Sequence, residues 1–384
     1  MTTAQADPWL LTPGPLTTSA TVKAAMLHDR GSRDRAFLEL DAEIRRRLVA
    51  LVGGEGSHVC VPIQGSGTFA VEAMLGTLVP RDGRLLILVN GAYGRRMETI
   101  ARYHGRAVET LEWPEDRPVD PARVEERLAL GPAPTHLALV HCETTSGVLN
   151  PLPAIAELAA RRGVALLVDA MSSFGALPID LRTTPFTALA ASANKCLEGV
   201  PGVGFVLVRE SVLEAARGNA PALSLDLVDQ HAAWRRTGQW RFTPPTHVLA
   251  ALHRALLEHE AEGGVKGRGR RYAENARILI EGMRALGFEP LLDSAHQAPI
   301  IVTFAMPADP RFRFETFYEL LRARGYVIYP GKLTVAPSFR MGCIGRLGPE
   351  VMHGAVEAVR AAMAELGVAS GAPARAAGEQ GVVA

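Results

Sequence analysis

Apolar and polar positions along the chain follow two repeating patterns. Short runs that are almost wholly apolar, such as residues 84–89 and 135–140, are typical of strands buried on both faces. Amphipathic stretches with the 3.6-residue period of a helix lie between them, among them residues 37–52, 69–78 and 246–260. Strands and helices that alternate in this way predict an α/β fold with a largely parallel sheet covered by helices.

The pattern changes in the last third of the chain. A strand at 300–304, a helix at 314–324, a strand at 326–329 and a last helix ending near Leu366 predict a small α+β domain. Residues from Val368 onwards are rich in Ala and Gly and have no periodicity, which favours a disordered tail. The predicted organisation is therefore an N-terminal arm (1–20), a large domain (21–260), a small C-terminal domain (261–367) and a tail (368–384).

Composition narrows the class of protein. With 384 residues, 48% of them hydrophobic and 21% charged, the chain has the balance of a globular enzyme of two domains. Its formal net charge of +1 gives no reason to expect nucleic acid or a membrane as a partner. No apolar run is long enough to span a bilayer, and no signal peptide is visible. Four scattered cysteines predict reduced thiols, a cytoplasmic location and no structural metal site.

Two charged residues follow buried strands and stand out as candidates for chemistry. Asp169 ends the apolar run 166–169, and Lys195 lies among small residues before a glycine-rich turn. A carboxylate and an amine held together suit pyridoxal 5'-phosphate, whose pyridine nitrogen needs an acid partner and whose aldehyde forms a Schiff base with lysine. An interior ion pair, or two solvated loop residues, is the alternative at these positions.

A glycine- and hydroxyl-rich turn leads from a strand at 58–63 into the helix at 69–78. Its residues Ser66, Gly67 and Thr68 precede a helix N-terminus, where free backbone N–H groups bind anions. The turn also fits a Gly-x-Gly-x-x-Ala dinucleotide motif, but the following strand does not end in the acidic residue that such a site uses for the ribose. The alternative that this stretch is only a tight turn, which binds no ligand, also stays open.

Tyr93, which we expect on a loop after the next strand, is a candidate for stacking on a planar ring, or else an ordinary surface or core tyrosine.

With these stretches in order, the chain resembles the class V, fold-type I aminotransferases over nearly its whole length, from about residue 10 to residue 366. The stretches that carry the resemblance are LTPGPLT (11–17), QGSGTFAVE (64–72), NGAYG (90–94), HCETT (141–145), VDAMSSFGALP (168–178), SANKCLEGVPG (192–202), GQWRFTPPT (238–246) and YPGKLT (329–334). The resemblance implies a mostly parallel, seven-stranded sheet in the large domain, a smaller α+β domain and pyridoxal 5'-phosphate as cofactor.

The resemblance also implies a role for each matching residue of the cofactor site. Lys195 would carry the cofactor as an aldimine and then shuttle a proton, and Asp169 would pair with the pyridinium nitrogen. The other implied cofactor-binding residues hold the phosphate, stack on the ring or line the site: Ser66, Gly67, Thr68, Tyr93, Thr145 and Ser192.

Two further residues are implied for assembly and for substrate binding. Thr243 would reach the cofactor phosphate of the neighbouring subunit, because family members are homodimers with shared active sites. Arg340, in the small domain, would bind the acid group of the substrate, since its planar fork matches a carboxylate or a phosphonate. The segment around Arg30 and Arg33 is a second candidate for a doubly charged substrate, although a solvated loop is the simpler interpretation.

The residue before the lysine narrows the resemblance within the family. Most class V enzymes have His, Gln or Arg there, whereas Asn194 matches the branch that acts on aminophosphonates. That branch implies a ping-pong transfer of the amino group of 2-aminoethylphosphonate to pyruvate, which gives phosphonoacetaldehyde and L-alanine in phosphonate catabolism. Alanine–glyoxylate and serine–glyoxylate aminotransferases are the nearest alternatives. A lyase or desulfurase on the same scaffold, and a protein that carries a cofactor or nucleotide without catalysis, also stay open.

Overall fold

The computed structural model describes residues 7–333 and 337–374. Six residues of the predicted N-terminal arm, Thr334 of the YPGKLT stretch and positions 375–384 of the predicted tail lie outside these ranges. The described strands are β1 (Trp9–Leu10), β2 (His58–Gly65), β3 (Arg84–Val89), β4 (Ala107–Glu112), β5 (His136–Val140), β6 (Cys142–Glu143), β7 (Val148–Leu149), β8 (Ala165–Asp169), β9 (Ala188–Ser192), β10 (Gly202–Arg209), β11 (Ile301–Ala305), β12 (Tyr326–Val327), β13 (Tyr329–Pro330) and β14 (Ser338–Gly342).

The helices connect and cover these strands. They are α1 (Ala20–Ala24), α2 (Arg35–Ala50), α3 (Gly67–Leu78), α4 (Ala92–Tyr103), α5 (Pro121–Ala129), α6 (Leu152–Arg161), α7 (Glu210–Ala215), α8 (Leu227–Thr237), α9 (Thr246–Ala261), α10 (Gly264–Ala285), α11 (Phe314–Ala323) and α12 (Pro349–Leu366), with a short 3-10 helix at Leu223–Leu225.

A seven-stranded sheet forms the centre of the large domain. Its strand order is β2-β10-β9-β8-β5-β3-β4, and every neighbouring pair is parallel except the two that include β10. Apolar side chains cover both faces, as the continuous apolar runs predict, and they form one core cluster on each side of the sheet. The predicted α/β class and the mostly parallel, seven-stranded sheet are confirmed.

The C-terminal part has its own core around a three-stranded sheet of order β11-β14-β13. Helices α10, α11 and α12 pack on it, and buried phenylalanines such as Phe288, Phe304 and Phe339 fill the interior. The N-terminal arm joins this unit, because β1 pairs in parallel with β12 and Leu11 is buried in the same core. The arm thus crosses from the small domain towards the large sheet.

Two local features differ from the sequence-based expectation. Tyr93 lies in the first turn of α4 rather than on a loop, because the chain enters the helix directly after Gly91. Residues 368–374 are held at several points although most of them are exposed: Val368 is buried, and the Ala308 N–H donates to the Ala372 carbonyl at 2.8 Å. Backbone pairing therefore holds a segment whose composition alone favours a tail.

Pro62 lies inside β2, which the pairing of β2 with β10 extends to Gly65. The strand tolerates the proline because β2 is an edge strand of the sheet, where a missing N–H costs little.

Within the described ranges, no helix has the length and apolar character required to cross a membrane. The same residues contain no group of His, Cys, Asp and Glu side chains arranged to hold a metal ion.

Candidate active site

The central sheet brings the predicted acid and amine to the same edge. Asp169 is the last residue of β8, and Lys195 follows the end of β9 by three residues. Strands β8 and β9 are parallel neighbours, with Asp169 paired in register with Ala190. Their carboxyl ends therefore open onto one crevice, which is where ligands bind in open α/β sheets.

The N-terminal arm covers Lys195. The Lys195 Nζ donates a hydrogen bond to the Pro13 carbonyl of this arm at 2.8 Å. Gly14 has φ +119°, and a Cβ at this position would lie only 2.7 Å from Lys195 Nζ, so a larger residue would displace the amine. Burial is the main cause that lowers the pKa of Lys195 to about 8; Cys196 and Asp169 oppose this shift, and the positive charges of Lys332 and Arg340 add to it. A fraction of the amine is therefore neutral near physiological pH and able to act as a nucleophile or base.

Asp169 is buried beside this amine. Its Oδ1 accepts a hydrogen bond from the Met171 N–H at 2.9 Å. Burial raises the pKa of Asp169 to about 6, while the Met171 N–H, Arg96 and Lys195 act in the opposite direction. The carboxylate is thus ionised at neutral pH but poorly compensated by the protein, which makes it a strong partner for a protonated ring nitrogen.

The N-terminus of α3 lies at the same crevice. Ser66 is the N-cap, and the first N–H groups of the helix, on Gly67 and Thr68, have no acceptor within the helix. One cavity is lined by Gly67, Thr68, Tyr93 and Asp169. Arg96 lines it as well and donates to the Thr68 hydroxyl at 3.2 Å. Two free backbone donors, a helix dipole and a guanidinium together make an anion site.

A buried carboxylate orients the aromatic residue of the site. Glu143 accepts hydrogen bonds from the Tyr93 N–H at 3.1 Å and from the Thr145 hydroxyl at 2.5 Å. The Thr145 hydroxyl also accepts from the Ala92 N–H at 3.1 Å, so both side chains satisfy the start of α4. Burial raises the pKa of Glu143 to about 6, against these hydrogen bonds. Thr145 thus lies near Tyr93, where it helps to hold the first turn of α4.

Arg340 reaches the site from β14 in the small domain. It is only 1% exposed, and its guanidinium donates to the carbonyls of Thr144 (2.9 Å) and Pro330 (3.1 Å). Burial lowers its pKa, opposed by Tyr93, Tyr329 and Glu143. Among residues 7–333 and 337–374, no carboxylate forms an ion pair with it. A buried arginine without a counter-ion is chemically suited to bind an acid group of a ligand.

The remaining predicted residues lie in different places. Ser192 is buried at the end of β9, and its hydroxyl donates to Asn194 Oδ1 at 3.0 Å, which orients the residue before Lys195. Thr243 is exposed in a separate groove with Gly65 and Phe69, and it does not line the cavity that contains Asp169 and Tyr93. No contact connects Arg30 or Arg33 with the site among the described residues.

These features satisfy each chemical requirement of pyridoxal 5'-phosphate. The α3 N-terminus suits the phosphate, Asp169 the ring nitrogen, Tyr93 a ring face and Lys195 the aldehyde carbon. An observation independent of this list is the close packing at Gly67, where a Cβ would lie 2.2 Å from Met171 Sδ, so any larger residue would have to displace the Met171 side chain beside the helix N-terminus. The residues present fit the group.

The structure places several residues at the site that sequence reasoning does not single out. Pro13 and Gly14 read only as a turn in the sequence, although the PGP stretch marks an unusual backbone. Glu143 belongs to a polar stretch and has no role of its own in the sequence pattern. Arg96 has no distinguishing sequence feature, since it is one of many arginines on amphipathic helices.

Comparison with known proteins agrees with this geometry. The family model described as aminotransferase class-V matches residues 18–364. The chain is 56% identical to "2-aminoethylphosphonate--pyruvate transaminase" of Pseudomonas aeruginosa strain PAO1, over 96% of this chain and 99% of that protein. It is 57% identical to "2-aminoethylphosphonate--pyruvate transaminase 2" of Burkholderia lata, over 95% and 97%. Among solved structures, pyridoxamine-pyruvate aminotransferase from Mesorhizobium loti matches with a TM-score of 0.87 at 26% identity, over 95% and 94%.

Proposed function

Because the chain belongs to the class V aminotransferases, we propose that it transfers the amino group of 2-aminoethylphosphonate to pyruvate. The products are phosphonoacetaldehyde and L-alanine, and the cofactor is pyridoxal 5'-phosphate. Identity of 56–57% over nearly the full length of relatives with this activity in their names supports the substrate pair. The observation that carries the proposal is that Asp169 and Arg340, which has no ion pair within the described residues, both act on the charge of the buried Lys195.

When bound, the cofactor supplies an electron sink for the charge that develops at the substrate carbon bearing the amino group. The residues of the chain hold and move the other groups. Lys195, with its pKa near 8, is suited to attack as an amine, to accept the proton from that carbon and to return a proton in the next step. Asp169 keeps a ring nitrogen protonated, because its buried carboxylate is stabilised by a nearby positive charge.

The acid group of the substrate and the phosphate of the cofactor are held at two separate anion sites. The α3 N-terminus at Gly67 and Thr68 fits the cofactor phosphate. Arg340 fits the acid group of either substrate, the phosphonate in one half-reaction and the carboxylate in the other. Its position under Thr144 and Pro330 fixes the direction of the guanidinium, so the substrate carbon is presented to Lys195.

The proposal includes a homodimer with shared active sites. The groove beside the α3 N-terminus contains exposed Phe69 (48%) and Phe242 (50%), and Thr243 lines the same groove. Burial of such a patch against a second copy would bring Thr243 towards the phosphate site of the partner. The four free, buried cysteines support a reducing, cytoplasmic location.

Spectroscopy of the purified protein tests the proposal. We expect an absorption band from covalently attached cofactor that is absent from Lys195→Ala. Addition of 2-aminoethylphosphonate without pyruvate should convert the band to that of the aminated cofactor, and later addition of pyruvate should restore it with formation of L-alanine. A band that responds to alanine or serine but never to the phosphonate would reject the substrate and favour a glyoxylate-type aminotransferase.

A further inference from the structure

A second cation of the small domain lies at the site without an assigned role. Lys332 follows β13, and its Nζ lies 5.9 Å from the centroid of the Tyr93 ring. The turn that carries it is held from two sides: the Gly331 N–H donates to the Ser338 carbonyl at 2.8 Å, and Arg340 Nε donates to the Pro330 carbonyl at 3.1 Å. Arg340 and Lys332 are therefore parts of one local structure that faces Tyr93.

Neither cation is neutralised by the protein. Within the ranges that the structure describes, Lys332 forms no ion pair, and Arg340 donates only to carbonyl oxygens. Both positive charges lower the pKa of Lys195, so the three cations are near enough to repel one another. Glu143, which acts on the charge of Arg340, and Asp169, which acts on that of Lys195, both accept hydrogen bonds from backbone N–H groups. An arrangement of like charges of this kind is stabilised by an anion with more than one negative charge.

Residue choice supports a specific use of lysine at this position. The chain contains four lysines, Lys23, Lys195, Lys266 and Lys332, among 41 basic residues, so arginine is used almost everywhere else. Two of the four lie at the active site. A compact ammonium on a flexible stem can move between ligands of different size, whereas a second planar fork beside Arg340 would impose one geometry.

We propose that Lys332 and Arg340 together bind the doubly charged phosphonate of the amino donor, and that Arg340 alone binds the carboxylate of the acceptor. A carboxylate has two oxygens, which one guanidinium fork can satisfy, whereas a phosphonate has three oxygens and a second charge. Lys332 thus makes the site selective for a dianion. This inference rests on the proposed function, for which it explains how one pocket accepts both substrates.

The test uses anions that bind without reacting, so it does not depend on turnover. Isothermal titration calorimetry of the cofactor-loaded enzyme measures Kd for ethylphosphonate and for propionate, at a pH above the second ionisation of the phosphonate. We expect Lys332→Met to weaken ethylphosphonate by about tenfold or more and propionate by less than about threefold, as for loss of one charge-assisted contact. Lys332→Arg retains the charge and should keep most of the preference for ethylphosphonate.

Two controls separate a dianion site from a general effect of lost charge and from a role in cofactor binding. Lys266→Met removes an exposed lysine of α10 that has no ion pair within the described part of the chain, and it should bind both anions like the wild type. The cofactor phosphate is the other dianion that Lys332 could serve, so the Kd of the apoprotein for pyridoxal 5'-phosphate is measured for each variant. That Kd should change by less than about threefold in Lys332→Met.

Three results would overturn the inference: unchanged binding of ethylphosphonate by Lys332→Met, equal weakening of both anions, or a larger loss of cofactor affinity than of ethylphosphonate affinity. A different result would reject the proposed function. If 2-aminoethylphosphonate does not convert the wild-type cofactor but the selectivity for ethylphosphonate still depends on Lys332, the substrate is wrong and the dianion site stands.

Discussion

Tyr272, on α10 of the small domain, donates its hydroxyl hydrogen to Glu198 Oε1 at 2.6 Å. Glu198 follows Lys195 by three residues and has φ +59°, a conformation that is strained for a residue with a side chain. Arg271 also donates to the same carboxylate at 2.7 Å, and Arg268 lies 3.5 Å from it. The loop that carries the active-site lysine is thus fastened to the small domain by a buried network of charges.

Removal of the Glu198 charge should destabilise the protein strongly. In Glu198→Gln the buried Arg268 and the half-buried Arg271 keep one carboxylate partner within the described residues, Glu262, besides their bonds to backbone carbonyls. We expect the free energy of unfolding to fall by about 3–5 kcal/mol, as when one member of a buried ion pair is lost. Urea denaturation monitored by circular dichroism measures the change.

Two further variants serve as comparisons for Glu198→Gln. Tyr272→Phe removes one neutral donor and should cost about 1–2 kcal/mol. Glu281→Gln breaks an exposed i,i+4 pair with Arg277 and should leave the urea midpoint unchanged. Equal midpoints for Glu198→Gln and Glu281→Gln would show that the buried network does not stabilise the fold.

The lowered pKa of Lys195 predicts a pH dependence for cofactor capture. Only the neutral amine attacks the aldehyde, and burial lowers its pKa to about 8. The rate of reconstitution of the apoprotein should therefore rise about tenfold per pH unit below pH 8 and level off above it. Stopped-flow absorbance between pH 6 and 10 measures this rate, with the range set by the lowered and the ordinary pKa of lysine. A plateau that begins only near the ordinary pKa of lysine would contradict a buried, partly neutral amine.

Asp169→Asn should raise the stability of the apoprotein and lower the activity of the enzyme. Burial raises the pKa of Asp169 to about 6 from an unfolded value of 3.8, so the ionised carboxylate destabilises the apoprotein at neutral pH. We expect the variant apoprotein to be more stable than wild type by about 1–3 kcal/mol at neutral pH, since each pKa unit corresponds to about 1.4 kcal/mol. The difference should shrink as the pH falls from 6 towards 4, because folded wild type then takes up the proton.

The same variant should lose about 100-fold or more in kcat, because a neutral amide cannot hold a ring nitrogen protonated. The Met171 N–H keeps an oxygen acceptor in the asparagine, so the backbone at this position is preserved. Thermal denaturation of the apoprotein at two pH values and a steady-state assay are the two measurements. A variant that is both less stable and fully active would remove Asp169 from the site.

Gly14→Ala should impair attachment of the cofactor more than it impairs folding. A Cβ would lie 2.7 Å from Lys195 Nζ, so the methyl group and the amine compete for one space. Gly56→Ala is the matched control, since Gly56 also has positive φ (+79°) but a Cβ there would meet no atom within 4 Å. We expect Gly56→Ala to lose about 1 kcal/mol of stability and Gly14→Ala to lose more, because its Cβ would also lie 3.0 Å from the Asn194 carbonyl oxygen. Only Gly14→Ala should lose the absorption band. Loss of the band in both variants would show that backbone strain, rather than the contact with Lys195, causes the loss.

Much of the fold could be predicted because it depends on local periodicity. The apolar run Arg84–Val89 has the same bounds in the sequence pattern and in the structure. Segments with weak periodicity are placed less well: the sequence pattern puts Tyr93 on a loop and leaves the packed residues after Val368 free. In both cases contacts with distant residues, such as Glu143 at the start of α4, decide the conformation.

The sequence by itself determined the α/β class, and it predicted a helix start suited to an anion and the residue types that pyridoxal chemistry needs, since these follow from patterns within short stretches. Only the tertiary structure decided which charges lie together. It placed Pro13 and Gly14 on Lys195, and it set Lys332 and Arg340 around the same space without a carboxylate partner in the described ranges. Burial and electrostatic coupling depend on three-dimensional distance, and residues separated by more than a hundred positions come within contact only when the sheet and the two domains have formed.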